Sequence, residues 1–331
     1  MWAGRLFPVT IKRMRFSLSQ LSTWTNTPLT ASRDYINQDY RPTTNVPKVQ
    51  EEHCNVQAIY LHTQGEPTEK VIFWLYGGAF LSGDAEGNVG PAENVGRATG
   101  MDVFLPTYRL LPECTFDDML WDVALAYGYL VKERKMDPSN IILLGISSGS
   151  GLVMRLLQFM AELNRGETLE PPYISPILAP DMMPSGAVLL CPFVDYTAPK
   201  GSFKEYDKHD LIVNQSVTEV GVPYFEKILG NDENRRRTSP VYRNMEGLPP
   251  LCVVVSEHEV VYDQTILLVN RAREAGVQVT VGMWKFMCHV FCFLASFVPE
   301  GQQSMDFVCD WIKNHSQASD TGAVVVAATD E

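Results

Sequence analysis

What the chain lacks narrows its class first. No apolar stretch in the 331 residues approaches the roughly 18 that a membrane span needs, so stable membrane insertion is not expected. Basic residues are scarce. Lys and Arg number 27 against 39 Asp and Glu, a formal net charge of −12 that argues against nucleic acid and anionic membranes as partners. The triplet Arg235-Arg236-Arg237 follows Asp232 and Glu233 and reads as a solvated surface loop. The seven cysteines include no CxxC pair, and Cys191, Cys252, Cys292 and Cys309 sit inside apolar segments as small hydrophobes. A disulfide scaffold is therefore not expected, and a reducing compartment is favoured. The first acid is Asp34, preceded by Arg5, Lys12, Arg13, Arg15 and Arg33; charges that frequent exclude the apolar core of a secretory signal. A cytoplasmic location is expected, with a mitochondrial presequence as the alternative for so basic a start.

With membranes, nucleic acid and disulfides set aside, an ordinary globular composition remains, 45% apolar and 20% charged. Short apolar runs at 71–76, 103–106, 141–146, 187–191, 251–255 and 277–284 read as buried strands. Helical spacing at 116–132, 148–160, 266–275 and 305–312 separates them. Strands that alternate with helices imply an α/β fold, a mostly parallel, doubly wound sheet covered on both faces. Nearly sixty residues part the strands at 187–191 and 251–255, too many for a structureless loop and enough for an inserted cap. The expected organisation is an N-terminal segment over 1–50, a main domain over 51–315 with a cap insertion at about 197–237, and a disordered tail over 316–331.

One strand ends in chemistry. The run 141–146 stops at Gly145-Ile146-Ser147-Ser148-Gly149, and a helical pattern resumes at once. A strand, a sharp turn and a helix put Ser147 at the apex, with small residues flanking it where the helix packs on the sheet. A serine hydroxyl needs a base to take its proton. Of six histidines, His289 follows the strand 277–284 after a short loop, where the base belongs, and His258 follows 251–255, the place of the acid. Around His258 stand Glu257 and Glu259, either of which is placed to orient the base. Gly77 and Gly78 end the run 71–76 ahead of the nucleophile, so their amides and that of Ser148 can converge on an oxyanion.

These residues fall into five ordered motifs. Tyr76-Gly77-Gly78-Ala79-Phe80, Tyr108-Arg109-Leu110-Leu111-Pro112-Glu113 and Gly145-Ile146-Ser147-Ser148-Gly149 resemble the HGGGF, YRLAPE and GDSAGG signatures of the hormone-sensitive-lipase-like esterases. Glu257-His258-Glu259 through Asp263 resembles that family's acid motif, and Cys288-His289-Val290-Phe291 its HGF motif. The chain departs at Tyr76 for histidine, Ala79 for the third glycine, Ile146 for an acid and Glu259 for aspartate.

The resemblance implies an α/β-hydrolase with a helical cap formed by the N-terminal segment and the insertion. It implies a serine carboxylic ester hydrolase with Ser147 as nucleophile, His289 as base and Glu259 as acid, acting on short- to medium-chain acyl or acetyl esters. Gly77, Gly78 and Ser148 would hold the oxyanion, and neither cofactor nor metal is needed. The expected partner is a small hydrophobic ester. A homodimer is the assembly to test, since relatives often pair through the last strand and helix. Amide or formamide hydrolysis and deacetylation are alternatives on the same machinery. A non-catalytic small-molecule receptor is disfavoured because serine, acid and histidine are all retained.

Overall fold

In the computed structural model, residues 48–53, 56–169, 172–197, 199–315 and 324–326 are described. Their nine strands form one sheet. In chain order these are β1 (Lys48–His53), β2 (Val56–Leu61), β3 (Val71–Leu75), β4 (Asp102–Thr107), β5 (Ile141–Ile146), β6 (Gly186–Leu190), β7 (Leu251–Ser256), β8 (Val279–Trp284) and β9 (Val324–Val326). The spatial order is β1-β2-β4-β3-β5-β6-β7-β8-β9, antiparallel for β1–β2 and β2–β4 and parallel from β4 onward.

The period of two along buried strands sorts the core into two layers. Phe73, Leu75, Leu143, Leu189 and Val253 face one side, together with buried residues of α2 (Phe116–Gly128), α3 (Ser148–Asn164) and α7 (Tyr262–Glu274). Ile72, Trp74, Leu144, Val188 and Val254 face the other, under α1 (Ala85–Thr99) and α8 (Pro299–His315). The crossover from β3 back to β4 runs opposite to those that follow. Its helix, α1, therefore lies on the opposite face from α2 and α3, as right-handed connections require. The reversal beside β3 creates a switch point at the C-terminal strand edge, where ligands of open α/β sheets bind.

Among the described residues between β6 and β7 are three α-helices, α4 (Ser202–Tyr206), α5 (Gln215–Leu229) and α6 (Asp232–Thr238). They fall where the cap insertion is expected. The N-terminal segment expected in that cap lies outside the described residues except for 48–50, which belong to β1 of the sheet. The tail expected to be disordered includes β9, paired parallel with β8 through Val281↔Val324; 316–323 and 327–331 lie outside the described residues.

The helix expected over 116–132 ends as an α-helix at Gly128 and continues as one π-helical turn, Tyr129–Glu133. It begins at a capping box, in which Thr115 Oγ accepts from Asp118 N and the Asp118 carboxylate accepts from Thr115 N. Asp122 of the same helix receives a forked pair of hydrogen bonds from Arg109 Nε and one terminal nitrogen, each at 2.8 Å, and Arg109 N adds a third at 2.9 Å. That clamp fixes the segment after β4 against the helix.

Candidate active site

Every candidate group leaves the sheet at its C-terminal edge. Ser147 follows β5, Gly77 and Gly78 follow β3, Glu259 follows β7 and His289 follows β8. Ser147 has φ 51° and ψ −118°, the strained elbow expected of a strand that turns directly into a helix. Its own N–H donates to Leu190 O at 2.8 Å and its carbonyl accepts from Phe193 N at 3.0 Å, so the turn is pinned to the neighbouring strand. Close packing explains the flanking glycine: a Cβ on Gly149 would overlap the carbonyl oxygens of Leu75 and Tyr76.

Ser147 Oγ lies 2.8 Å from His289 Nε2. On the far side of the ring, His289 Nδ1 is 2.6 Å from Glu259 Oε2, and Glu259 Oε1 accepts from Ser256 N at 2.9 Å. Glu259 is fully buried and His289 nearly so. The two acids left open by position are thus separated by geometry. Glu259 meets the imidazole, whereas Glu257 is half-buried and its amide donates to Trp284 O. His258 supports the loop that carries His289, accepting from Phe286 N at 3.2 Å through Nδ1.

Electrostatics favour a basic imidazole. Burial lowers the His289 pKa, but the hydrogen bond and charge of Glu259, with the charge of Asp210, outweigh it and leave the net shift upward. Burial pushes the Glu259 carboxyl up, and its hydrogen bonds to His289 and Ser256 oppose that rise.

Gly77 and Gly78 lie against the nucleophile. A Cβ on Gly77 would stand 3.1 Å from Ser147 Cβ and 2.8 Å from Ile146 O, so only glycine brings this backbone so close. Gly78 has φ 131°, and Ala79 and Phe80 follow in the left-handed region at 54° and 63°. Gly78 O accepts from Leu81 N and Ser82 N. The Ser148 amide is the first of α3, among the four that a helix leaves without an internal partner.

Three features of the site have no signal in the motif spacing. Ser148 Oγ accepts from Phe80 N at 3.3 Å, tying the glycine loop to the residue after the nucleophile. Tyr76, at the family's histidine position, forms a reciprocal pair with Tyr108. Its hydroxyl donates to Tyr108 O and accepts from Tyr108 N, and Tyr108 OH donates to Tyr76 O at 2.6 Å. Their rings stack at 4.3 Å. Asp210, from the insertion, accepts from His289 N at 2.8 Å.

Among the described residues, one set of metal-capable side chains converges, Cys191 with Glu259 and His289, their donor atoms within 4.8 Å of one another. The 2.6 Å contact between Glu259 and His289 is a hydrogen bond; two ligands of one ion stand at least about 3 Å apart, given metal bonds near 2 Å. The cluster is a hydrogen-bonded pair with a thiol beside it. Burial holds the Cys191 thiol well above its usual pKa. No helix among the described residues is long and apolar enough to cross a membrane.

Comparison with known proteins gives the family. Residues 72–293 match the family model described as the alpha/beta hydrolase fold. An esterase of Acinetobacter venetianus is 24% identical over 260 residues, 78% of this chain and 79% of the relative. An acetyl-hydrolase of Streptomyces hygroscopicus is 26% identical over 255 residues, 77% and 78% of the two chains. A crystal structure of an esterase from the bacterial hormone-sensitive lipase family superposes with a TM-score of 0.74 at 27% identity, covering 92% of this chain and 98% of that one. The chain belongs to the α/β-hydrolase fold family, among its hormone-sensitive-lipase-like carboxylesterases.

Proposed function

We propose that this protein hydrolyses short- to medium-chain acyl esters, acetyl esters included, through an acyl-enzyme on Ser147. The observation that carries the reading is the unbroken hydrogen-bonded line from Ser147 Oγ through the His289 ring to Glu259. In the first half-reaction Ser147 Oγ attacks the ester carbonyl carbon while its proton passes to His289 Nε2. Glu259 keeps the Nδ1 proton in place and offsets the charge of the imidazolium. The amides of Gly77, Gly78 and Ser148 receive the negative oxygen. Collapse of the tetrahedral intermediate breaks the ester C–O bond, and His289 Nε2 returns its proton to the leaving alkoxide. Water then attacks the acyl-enzyme carbonyl and gives its proton to His289 Nε2; collapse breaks the bond from the acyl carbon to Ser147 Oγ, His289 returns the proton to Oγ, and the acid leaves.

The choice of a hydrophobic, modest acyl group has two supports. Phe193, whose amide bonds to Ser147 O, is half-buried beside the nucleophile and packs its ring against Tyr196 and Phe80. Phe116 closes the same aromatic cluster from α2. The second support is the relative named acetyl-hydrolase. The helices between β6 and β7 serve as the cap over this wall.

The test is hydrolysis of p-nitrophenyl esters from acetate to palmitate, with Ser147→Ala beside the parent. The expected result is turnover on acetate and butyrate, a steep fall at palmitate, and a loss on the order of 10⁴- to 10⁶-fold in kcat for Ser147→Ala. A parent with no turnover above the variant at any chain length would return the protein to the receptor class and sink this reading.

A further inference from the structure

We propose that Asp210 is a positioning residue that couples the catalytic base to the helical insertion, a role that rests on His289 being the base. The loop between β8 and His289 has little regular structure to hold it. Its backbone enters the left-handed region at Phe286 and again at Val290, with φ of 59° and 51°. Three of the amides from Phe286 to His289 are held by side chains from elsewhere. Phe286 N donates to His258 Nδ1, Met287 N to Ser256 Oγ, both at 3.2 Å, and His289 N to Asp210 Oδ2 at 2.8 Å. Two of the acceptors come from the end of β7 and the turn after it; the third, with the shortest bond, comes from the insertion and acts on the base residue itself.

Asp210 is placed rigidly enough for the task. It is buried, its amide donates to Tyr206 O at 2.8 Å, and its Oδ1 accepts from Ile212 N and Val213 N at 2.8 and 2.9 Å. Three amide donors therefore converge on the two carboxylate oxygens, the arrangement that suits an anion. The insertion is itself anchored next to the acid. Ser202 N donates to Asp263 Oδ2, Ser202 Oγ donates to Val260 O, and Asp263 N donates to Ser202 Oγ, all within 3.0 Å. From 202 to 213 the insertion is thus built onto the loops of Glu259 and His289. Its contribution is the placement of the base as well as cover for the site.

The Asp210 carboxylate also adds negative charge beside the imidazole and acts with Glu259 to raise the His289 pKa. The other titratable groups at the ring are Ser147, Cys191 from the end of β6 and the neighbouring Cys288. His258 faces the start of the loop. Burial pushes both thiols far up, so they stay neutral through the assay range. A basic imidazole must be uncharged to take the serine proton, so kcat/KM rises with pH through the His289 pKa. Removing the Asp210 charge lowers that pKa and moves the acid limb to lower pH.

The experiment compares Asp210→Asn and Asp210→Ser with the parent on p-nitrophenyl butyrate, reading kcat, KM and the pH profile of kcat/KM, with thermal melting as a control for folding. For both variants kcat falls by roughly 10- to 100-fold, KM stays within about threefold, and the acid limb moves down by about half to one pH unit. Asparagine keeps an acceptor oxygen without the charge, whereas the hydroxyl of serine is one atom too short to meet the His289 amide, so the pair separates the hydrogen bond from the electrostatic effect: a smaller loss in kcat for asparagine than for serine, with the same limb shift, is expected. An unmoved acid limb in a folded variant, or a kcat equal to the parent's, overturns the proposal. Pairing these with His289→Ala keeps the two readings apart: full activity in His289→Ala removes the base assignment, whereas its inactivity with an unmoved limb in the Asp210 variants removes only the coupling.

Discussion

Replacing Glu259 by glutamine is the most searching perturbation of this site, because shape is kept while the charge and one of the two acceptors are lost. In the parent, Oε2 accepts the Nδ1 proton of His289 and Oε1 accepts the Ser256 amide. Glutamine has one acceptor and one donor for two positions that both need acceptors. With its oxygen toward Ser256, the amide NH2 faces Nδ1 and forces the opposite tautomer, which puts a proton on Nε2 and leaves Ser147 Oγ without a base. With the oxygen toward His289, the NH2 meets the Ser256 N–H, donor against donor, in a fully buried place. Either orientation also loses the negative charge that offsets the imidazolium in the transition state. The expected loss is on the order of 10³- to 10⁴-fold in kcat/KM, about 4–5.5 kcal/mol, with the melting temperature within a few degrees of the parent. Glu257→Gln, made alongside, stays within about threefold, since that side chain is half-exposed and away from the imidazole. Butyrate hydrolysis followed by initial rates reads both. A larger loss at Glu257 than at Glu259 would refute the reasoning, because no tautomer argument applies there.

Two further substitutions probe the frame around the nucleophile. Tyr76→Phe removes the hydroxyl that bonds both Tyr108 N and Tyr108 O, stranding buried backbone groups; a loss of about 1–3 kcal/mol in unfolding free energy is expected, with kcat reduced and KM little changed, and denaturant titration beside kinetics checks it. Gly149→Ala drives a methyl into the carbonyls of Leu75 and Tyr76, both backbone and unable to rotate away; melting should fall by several degrees and activity should be lost, and a variant melting with the parent would show that the elbow is looser than its packing implies.

The parts of this fold that a single sequence discloses are those whose signal is local. Continuous apolar runs mark β3, β5, β6 and β7 because a central parallel strand is buried on both faces. The strand β1, KVQEEH, was missed because an edge strand can be polar and still pair. The helix α1 was missed for a different reason. It carries Gly87, Gly90, Gly96 and Pro91, and it buries small residues such as Ala85, Ala92 and Gly96, so its periodicity is faint. Asp84 caps its start by accepting from Gly87 N. Ser147 and His289 were legible from order along the chain. Choosing Glu259 over Glu257 needed the family register, and geometry separates them by which carboxylate reaches the imidazole. Asp210 was not legible, because its meaning depends on a contact across 79 positions that no spacing rule describes.

The departures from the family motifs show what each position requires. Position 146 lies in the buried second core layer, so an apolar Ile146 suits it on packing grounds alone. Position 76 needs a side chain that reaches the backbone of Tyr108, and a tyrosine does so by stacking on Tyr108 and exchanging hydroxyl bonds with its main chain. Position 79 is the demanding one. Ala79 and Phe80 both sit in the left-handed region, which costs on the order of 1 kcal/mol for each non-glycine residue, so the conformation persists only where neighbours impose it. They do: Phe80 N donates to Ser148 Oγ, Phe80 O accepts from Leu111 N, and Gly78 O takes the amides of Leu81 and Ser82. The Ser148 hydroxyl therefore helps to hold the left-handed segment that Ala79 and Phe80 form. A loop with alanine where the family motif has its third glycine is held at Phe80 from both sides, its amide by a hydroxyl on the residue after Ser147 and its carbonyl by the Leu111 amide, so the strain is shared with bonds to Ser148 and Leu111.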